Sequence, residues 1–280
     1  MKISQFCGKV IPITLHNCNA VRNIIVASSL VVVLILGSFG TIHNRNYKIN
    51  KIVLDAGHGG RDPGTSGKHT KEKDIALDIV LELGKIINKY MPDVKVIYTR
   101  KDDSFPELYG RADLANEEGA DLFISVHANW VANPKVRGTE TYVMGLHKTD
   151  DNLQVAMREN SVIELEENAE ENYDGFDPNS PESYILFSLA QNAYLNNSLL
   201  LAQKVEDQFR ERAGRRSRGV KSAGFIVLWR TSMPSILVET GYLSNEREEQ
   251  ELNDDLVQTY IASGIYRAFR DYKDQIESTN

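Results

Sequence analysis

Four residues far apart in the chain, His58, Glu72, His127 and Glu239, are of the types that could carry out hydrolytic chemistry together. His58 stands in KIVLDAGHGGRDPGTSG, residues 51–67, where an apolar run ends in a loop containing Gly57, Gly59, Gly60, Gly64 and Gly67. Glycine at this density lets the backbone turn sharply and come close to a bound group. His127 follows a second apolar run in SVHAN, and Glu72 opens a helical pattern fourteen residues beyond His58. Two imidazoles and a carboxylate with a free fourth position make a catalytic zinc site. Glu239 ends the apolar stretch SILVE, where a carboxylate is expensive to bury unless paired or functional. Beside a metal it could take a proton from water and pass it to a leaving amine. Each residue also has a plainer reading. His58 could be polar surface, His127 structural, Glu72 a helix-dipole partner and Glu239 the partner of a buried arginine such as Arg111. No HExxH helix is present, so that class of zinc enzyme is excluded.

The elements that must position these residues alternate. Ile52–Ala56 predicts a strand, Glu72–Tyr90 a helix, Val94–Thr99 a strand, Pro106–Glu118 an amphipathic helix, and Leu122–Val126 and Gly138–Met144 two more strands. Tyr184–Arg212 predicts one long helix or two, Phe225–Trp229 and Ser235–Glu239 strands, and Leu256–Tyr272 a closing helix. This order argues for an α/β fold, a mostly parallel twisted sheet with helices on both faces. His58 and His127 then lie at the carboxyl ends of strands, where open α/β sheets bind their ligands.

Length and composition allow one catalytic domain over residues 46–280. The net charge of −7 becomes −11 over that stretch, because residues 1–45 carry four cations and no Asp or Glu. With no basic block, nucleic acid is excluded as the expected partner. Both cysteines, Cys7 and Cys18, fall in the first 45 residues, so a metal site further on must use His, Asp and Glu. Residues 1–45 predict a signal peptide or membrane anchor. Ile24–Ile42 would form a helix about 28 Å long, Lys2, Lys9 and Arg22 precede it, and Ser38-Phe39-Gly40 resembles a cleavage site. The protein is therefore expected to be exported, with membrane contact only through this segment. One stretch breaks the alternation. Residues 146–182 form a long, acidic connection, read either as a solvated insertion or as a lid.

DAGHGGRDPG, EKDIAL, SVHAN and PSILVETGYLSN together resemble the zinc-dependent N-acetylmuramoyl-L-alanine amidases of bacterial cell walls, over roughly Lys51 to Tyr272. The resemblance implies that His58, Glu72 and His127 bind Zn2+ and that Glu239 is the catalytic glutamate. It implies hydrolysis of the amide between N-acetylmuramic acid and L-alanine in peptidoglycan, in the periplasm, during daughter-cell separation. In several members an inserted helix covers the zinc until an activator protein displaces it. By position that helix would contain Arg158-Glu159-Asn160, with Glu159 as the blocking residue and Glu164 as second choice. Other residues fit weaker roles. Glu140 is expected to orient a ligand histidine or to lie exposed, and Arg111 and Asn129 to hold substrate or to serve in a salt bridge and a cap. Asp55 is expected to orient the glycine loop. A zinc carboxypeptidase of wall peptides and a non-catalytic wall-binding protein are the competing functions.

Overall fold

The computed structural model describes residues 48–280 except 168, 174, 189–192 and 280, so the segment read as a signal or anchor lies outside the described residues. In chain order the elements that matter are β1 (Lys51–Ala56), α1 (Glu72–Tyr90), β2 (Lys95–Tyr98), α2 (Leu108–Glu117), β3 (Leu122–Asn129) and β4 (Thr139–Met144). They are followed by α3 (Asp150–Asn160), a 3-10 turn (Ser161–Leu165), and the helices α4 (Ala169–Asn172), α5 (Pro181–Ser188) and α6 (Leu195–Glu211). The chain closes with β5 (Ser217–Ala223), α7 (Ile226–Trp229), β6 (Ser235–Tyr242), α8 (Glu246–Leu252) and α9 (Asp255–Thr279).

The six strands form one sheet in the order β2-β1-β3-β6-β4-β5. The first four run parallel, whereas β4 is antiparallel to β6 and carries β5 parallel to itself. Strand alternation divides the core between two faces. Ile52 and Leu54 of β1, Ile124 and Val126 of β3 and Ile236 and Val238 of β6 pack with α1, α6 and α9. Val53, Phe123 and Leu237 point the other way, into a cluster with α2, α3, α5 and α7. On α1 the buried positions Ile75, Ile79, Leu83 and Ile87 repeat every fourth residue, which lays one apolar stripe on the sheet.

Two expectations change. Phe225–Trp229 is not a strand: Ile226–Trp229 makes a single helical turn whose Ile226, Val227 and Leu228 are buried. A short apolar run cannot distinguish strand from helix by periodicity, and Ser217–Ala223, a more polar stretch, takes the edge-strand place instead. The acidic connection is also more ordered than its composition suggests. Thr149 caps α3 by accepting a hydrogen bond from the Asn152 N–H, and Asp150 and Asp151 occupy the first turn.

On the α6 side, Glu206 is fully buried between Thr139, Thr141 and Ser217, whose hydroxyls donate to it at 2.6–3.0 Å. Burial raises its pKa, and those hydroxyls only partly offset the effect. The folded state therefore holds this proton more tightly than the unfolded chain. The stability it lends is full below the ordinary value of 4.5 and is lost as pH rises through the raised value. We predict that Glu206→Gln flattens this loss, because rotating hydroxyls can still satisfy an amide. Urea unfolding at pH 5 and pH 8 should show a smaller decline for the variant than for the parent. An equal decline would exclude Glu206 as its source.

Candidate metal centre

The site lies where the face covered by α2 and α3 reaches the carboxyl rim of the parallel strands. Along that face each strand changes from apolar to polar: Val53 then Asp55 on β1, Phe123 then Ser125 and His127 on β3, Leu237 then Glu239 on β6. The register places His127 directly beside Glu239. After β1 the backbone turns so sharply that His58 itself adopts φ 61°. A non-glycine residue in that region is strained by roughly 1–3 kcal/mol and persists only where its surroundings hold it. Two buried arginines supply the hold. Arg100 donates to the carbonyls of Ala56, Gly57 and Lys73, and Arg111 to those of Ala56 and His58. The loop then delivers Glu72 as the first residue of α1, fully buried.

Four side-chain atoms converge here. His58 Nε2 lies 3.1 Å from Glu72 Oε1 and 3.1 Å from Glu159 Oε2. His127 Nδ1 lies 3.0 Å from Glu72 Oε1 and 3.1 Å from Glu159 Oε2. All four residues are buried, and the four atoms lie within 4.8 Å of one another. A tetrahedral ion with donors at about 2.0–2.1 Å would give edges of about 3.3 Å, close to these separations. Among the described residues His58 Nε2 and Glu159 Oε2 have no hydrogen-bond partner, which fits donors aimed at a cation rather than at each other. His58, Glu72, His127 and Glu159 could thus hold a metal ion.

The opposite ring nitrogens are tied down, as ligand imidazoles require. His58 Nδ1 pairs with Asp62 Oδ2 at 2.6 Å. His127 Nε2 meets Ser125 Oγ at 3.1 Å, and that hydroxyl donates to Asp55 Oδ2 at 2.5 Å. Glu72 is anchored in turn by the N–H groups of Thr65 and Ala128. The electrostatics favour positive charge at the centre. Burial opposes protonation of His58, yet Glu72, Asp62 and Glu159 outweigh it and hold its pKa well above the usual value. Burial likewise opposes His127, which Glu159 and Glu72 nevertheless raise to about 9. Burial and Glu72 work to raise Glu159, but the two imidazoles bring it down to about 2.

Glu159 comes from the last turn of α3, the negative end of the helix dipole, where a buried carboxylate is disfavoured unless it faces a cation. Its neighbour Arg158 fastens that turn across the site. It donates to Glu159 Oε1 at 3.1 Å, to the Trp130 carbonyl at 2.8 Å and to Asn129 Oδ1 at 2.9 Å. Asn160 then bonds the Gly224 carbonyl and the Ile226 N–H, docking the end of α3 on α7.

Glu239 is fully buried, and neither carboxylate oxygen has a hydrogen-bond partner among the described residues. Burial first, then the charges of Glu159 and Glu72, raise its pKa well above the carboxylate range. It is not the partner of Arg111, which pairs with Asp55 at 2.8 Å and lies 2% exposed, turned inward as a structural brace. Asn129 is buried beneath Arg158. Among the described residues Glu140 bonds to no histidine and instead accepts from Arg218, Lys221, Tyr142 and Tyr242. Glu164 is exposed, accepts from Asn179 and lines the same cavity as His58 and Glu159 without joining the four converging atoms. Sequence reasoning missed Asp62, Ser125, Arg100 and Arg158. Ser125 was available from alternation, two residues before His127 on the same face.

Gly57 packs against the His127 ring: a Cβ there would come within 2.3 Å of Cε1 and 2.5 Å of Nε2. We predict that Gly57→Ala turns the imidazole out of line and weakens divalent-metal affinity by about 10–100-fold, the range seen when a ligand's orientation is lost. Competition with a chelating dye measures this, and unchanged affinity would show that the ring does not need its present orientation.

Comparison with known proteins identifies the family. Residues 52–271 match the family described as N-acetylmuramoyl-L-alanine amidase. The chain is 32% identical to the N-acetylmuramoyl-L-alanine amidase AmiA of Escherichia coli (strain K12), over 80% of this chain and 78% of that protein. The crystal structure of N-acetylmuramoyl-L-alanine amidase from Clostridium difficile 630 superposes with a TM-score of 0.62 at 28% identity, covering 81% of this chain and 98% of that one. The CwlD amidase from Clostridioides difficile, solved in complex with the GerS lipoprotein, gives 0.58 at 26% identity, covering 81% and 99%. The strand order, the rim site and these likenesses lead to one conclusion: the chain belongs to the N-acetylmuramoyl-L-alanine amidase family.

Proposed function

We propose that this protein uses zinc, held by His58, Glu72 and His127, to hydrolyse the bond between N-acetylmuramic acid and L-alanine in peptidoglycan, with Glu239 as the proton carrier and Glu159 as a removable block. The observation that carries the reading is the convergence of four ligand atoms at 3.0–3.1 Å beside a buried, unpartnered Glu239. When bound, zinc supplies Lewis-acid polarisation of the scissile carbonyl and acidifies water. The remaining work belongs to the chain. The Asp62 and Ser125–Asp55 contacts hold both imidazoles in one tautomer. Glu239, one strand from His127, takes the proton of the attacking water and returns it to the nitrogen of L-alanine as the C–N bond breaks.

Glu159 affects both groups. It occupies the fourth position, where water and substrate must enter, and its charge raises Glu239. Withdrawal of the end of α3 would open that position and lower Glu239 toward a range in which it can accept a proton. A binding partner that draws α3 outward would therefore switch the enzyme on. The CwlD structure with a lipoprotein bound supports a protein partner as a mode of this family. Residues 1–45 support export to the periplasm, with the signal cleaved or kept as an anchor.

Glu239→Gln should keep its zinc and lose about 10²–10⁴-fold in hydrolysis, the usual worth of a general base. His58→Ala should lose the metal itself. Metal analysis and mass spectrometry of released stem peptides beginning with L-alanine distinguish the two, and full activity in the glutamine variant removes Glu239 from the mechanism. Glu159→Ala should retain zinc and raise basal wall hydrolysis by about tenfold or more, the effect of ~1.4 kcal/mol of lost closure. A folded variant no faster than the parent would falsify the block.

A further inference from the structure

Beyond Glu239 the same face of the sheet continues into a second group of charges. Glu140 on β4 is the direct cross-strand partner of Glu239 on β6, so the two side chains share a face. Glu140 is fully buried and receives Arg218 Nε at 2.5 Å, Lys221 Nζ at 2.6 Å, Tyr242 Oη at 2.5 Å and Tyr142 Oη at 2.7 Å. One carboxylate thus faces two cations and two phenols, leaving a net positive charge. A guanidinium offers five donors and an ammonium three, more than Glu140 can use. Arg218 and Lys221 are only partly covered, at 31% and 20% side-chain exposure. They line a cavity of about 600 Å3 with Tyr142, Tyr242 and Trp130, whose ring is 40% exposed. The wall formed by α3 adds Asp151 and Arg158, one charge of each sign. This is a cationic, aromatic-walled hollow in a domain whose net charge is −11.

We propose that this hollow is a carboxylate-binding subsite for the stem peptide, in which Arg218 and Lys221 grip a free carboxylate of the second or third residue beyond the scissile amide. The inference rests on the amidase reading above and extends it. From β6 to β5 is two strand spacings, roughly 10 Å at ~4.8 Å each. An extended peptide covers ~3.3–3.6 Å per residue, so a chain starting at Glu239 reaches Lys221 after two to three residues. The stem is the half of the substrate that carries carboxylates, since its second residue, D-glutamate, is joined through the side chain and leaves its α-carboxylate free. The glycan half carries none at the muramyl lactate once that group is amidated. The charge of the hollow therefore orients the substrate, with the leaving peptide toward β5. Withdrawal of the tip of α3 would carry Arg158 out of the wall, while Asp151, near the foot of the helix, and the cations of β5 stay in place.

The test uses the zinc-loaded full chain carrying Glu159→Ala and two soluble substrates of equal size, the γ-methylamide of N-acetylmuramoyl-L-alanyl-D-glutamate, whose α-carboxylate is its one free carboxylate, and the α-carboxamide counterpart of that γ-methylamide, which has none. The expected KM for the carboxylate is about tenfold lower, the difference between a charged and a neutral hydrogen bond. Arg218→Gln and Lys221→Met should each erase that preference by raising the carboxylate KM, with the carboxamide KM and both kcat values held within about twofold. Equal KM values for the two substrates in the unsubstituted comparison enzyme would overturn the subsite, whether or not the variants fold. So would variants that change both substrates alike, which is the mark of a structural role for Arg218 and Lys221. Hydrolysis of neither substrate would overturn the amidase reading, and the subsite with it.

Discussion

Two imidazoles, each buried within about three ångströms of both of two carboxylates, set the constraint on which the rest of this structure depends. Buried charge is costly in a medium of low dielectric, and it persists only where opposite charge and hydrogen bonds hold every group in place. The loop after β1 is consequently heavily braced. Arg100 and Arg111 satisfy its carbonyls, Asp62 and Ser125 fix the rings, and two backbone amides hold Glu72. Glycines at 57 and 64 are required because side chains there would run into His127, His58 and Glu72. The apolar sandwich beneath serves this rim, giving three parallel strands a common end from which to present His58, His127 and Glu239.

Much of this was legible in the sequence because strand ends announce themselves. A run such as LFISV followed by HAN, or SILV followed by ETG, reads both as a buried strand and as a polar residue at its mouth. The meeting of His58, Glu72 and His127 was one of the readings their places at strand ends and a helix start allowed, and the family resemblance selected it. Glu159 was legible only through family resemblance, since nothing local marks it among the many glutamates of that stretch. Arg111 took the salt-bridge alternative and Glu140 neither of its two, because sequence shows that a charged residue is present but not which of several buried partners it will find. Arg111 turned inward to Asp55, and Glu140 turned to the cations of β5. The turn at Ile226–Trp229 escaped because four apolar residues carry no period.

The reversal of β4 against its parallel neighbours has a mechanical consequence. β4 runs down the sheet while β6 runs up, so the chain leaves Met144 at the foot of the sheet, far from the rim. Helix α3 must climb back, and its eleven residues span about 16 Å, close to the height of the strand it retraces. Thr149 caps its foot and Glu159 stands at its tip. Adding or removing one residue would rotate the tip by about 100° and shift it by ~1.5 Å, so the length of this arm is as tightly specified as any ligand. A small tilt about Thr149 would become a large displacement of Glu159, and a partner that grips the far end of the helix would have the greatest purchase.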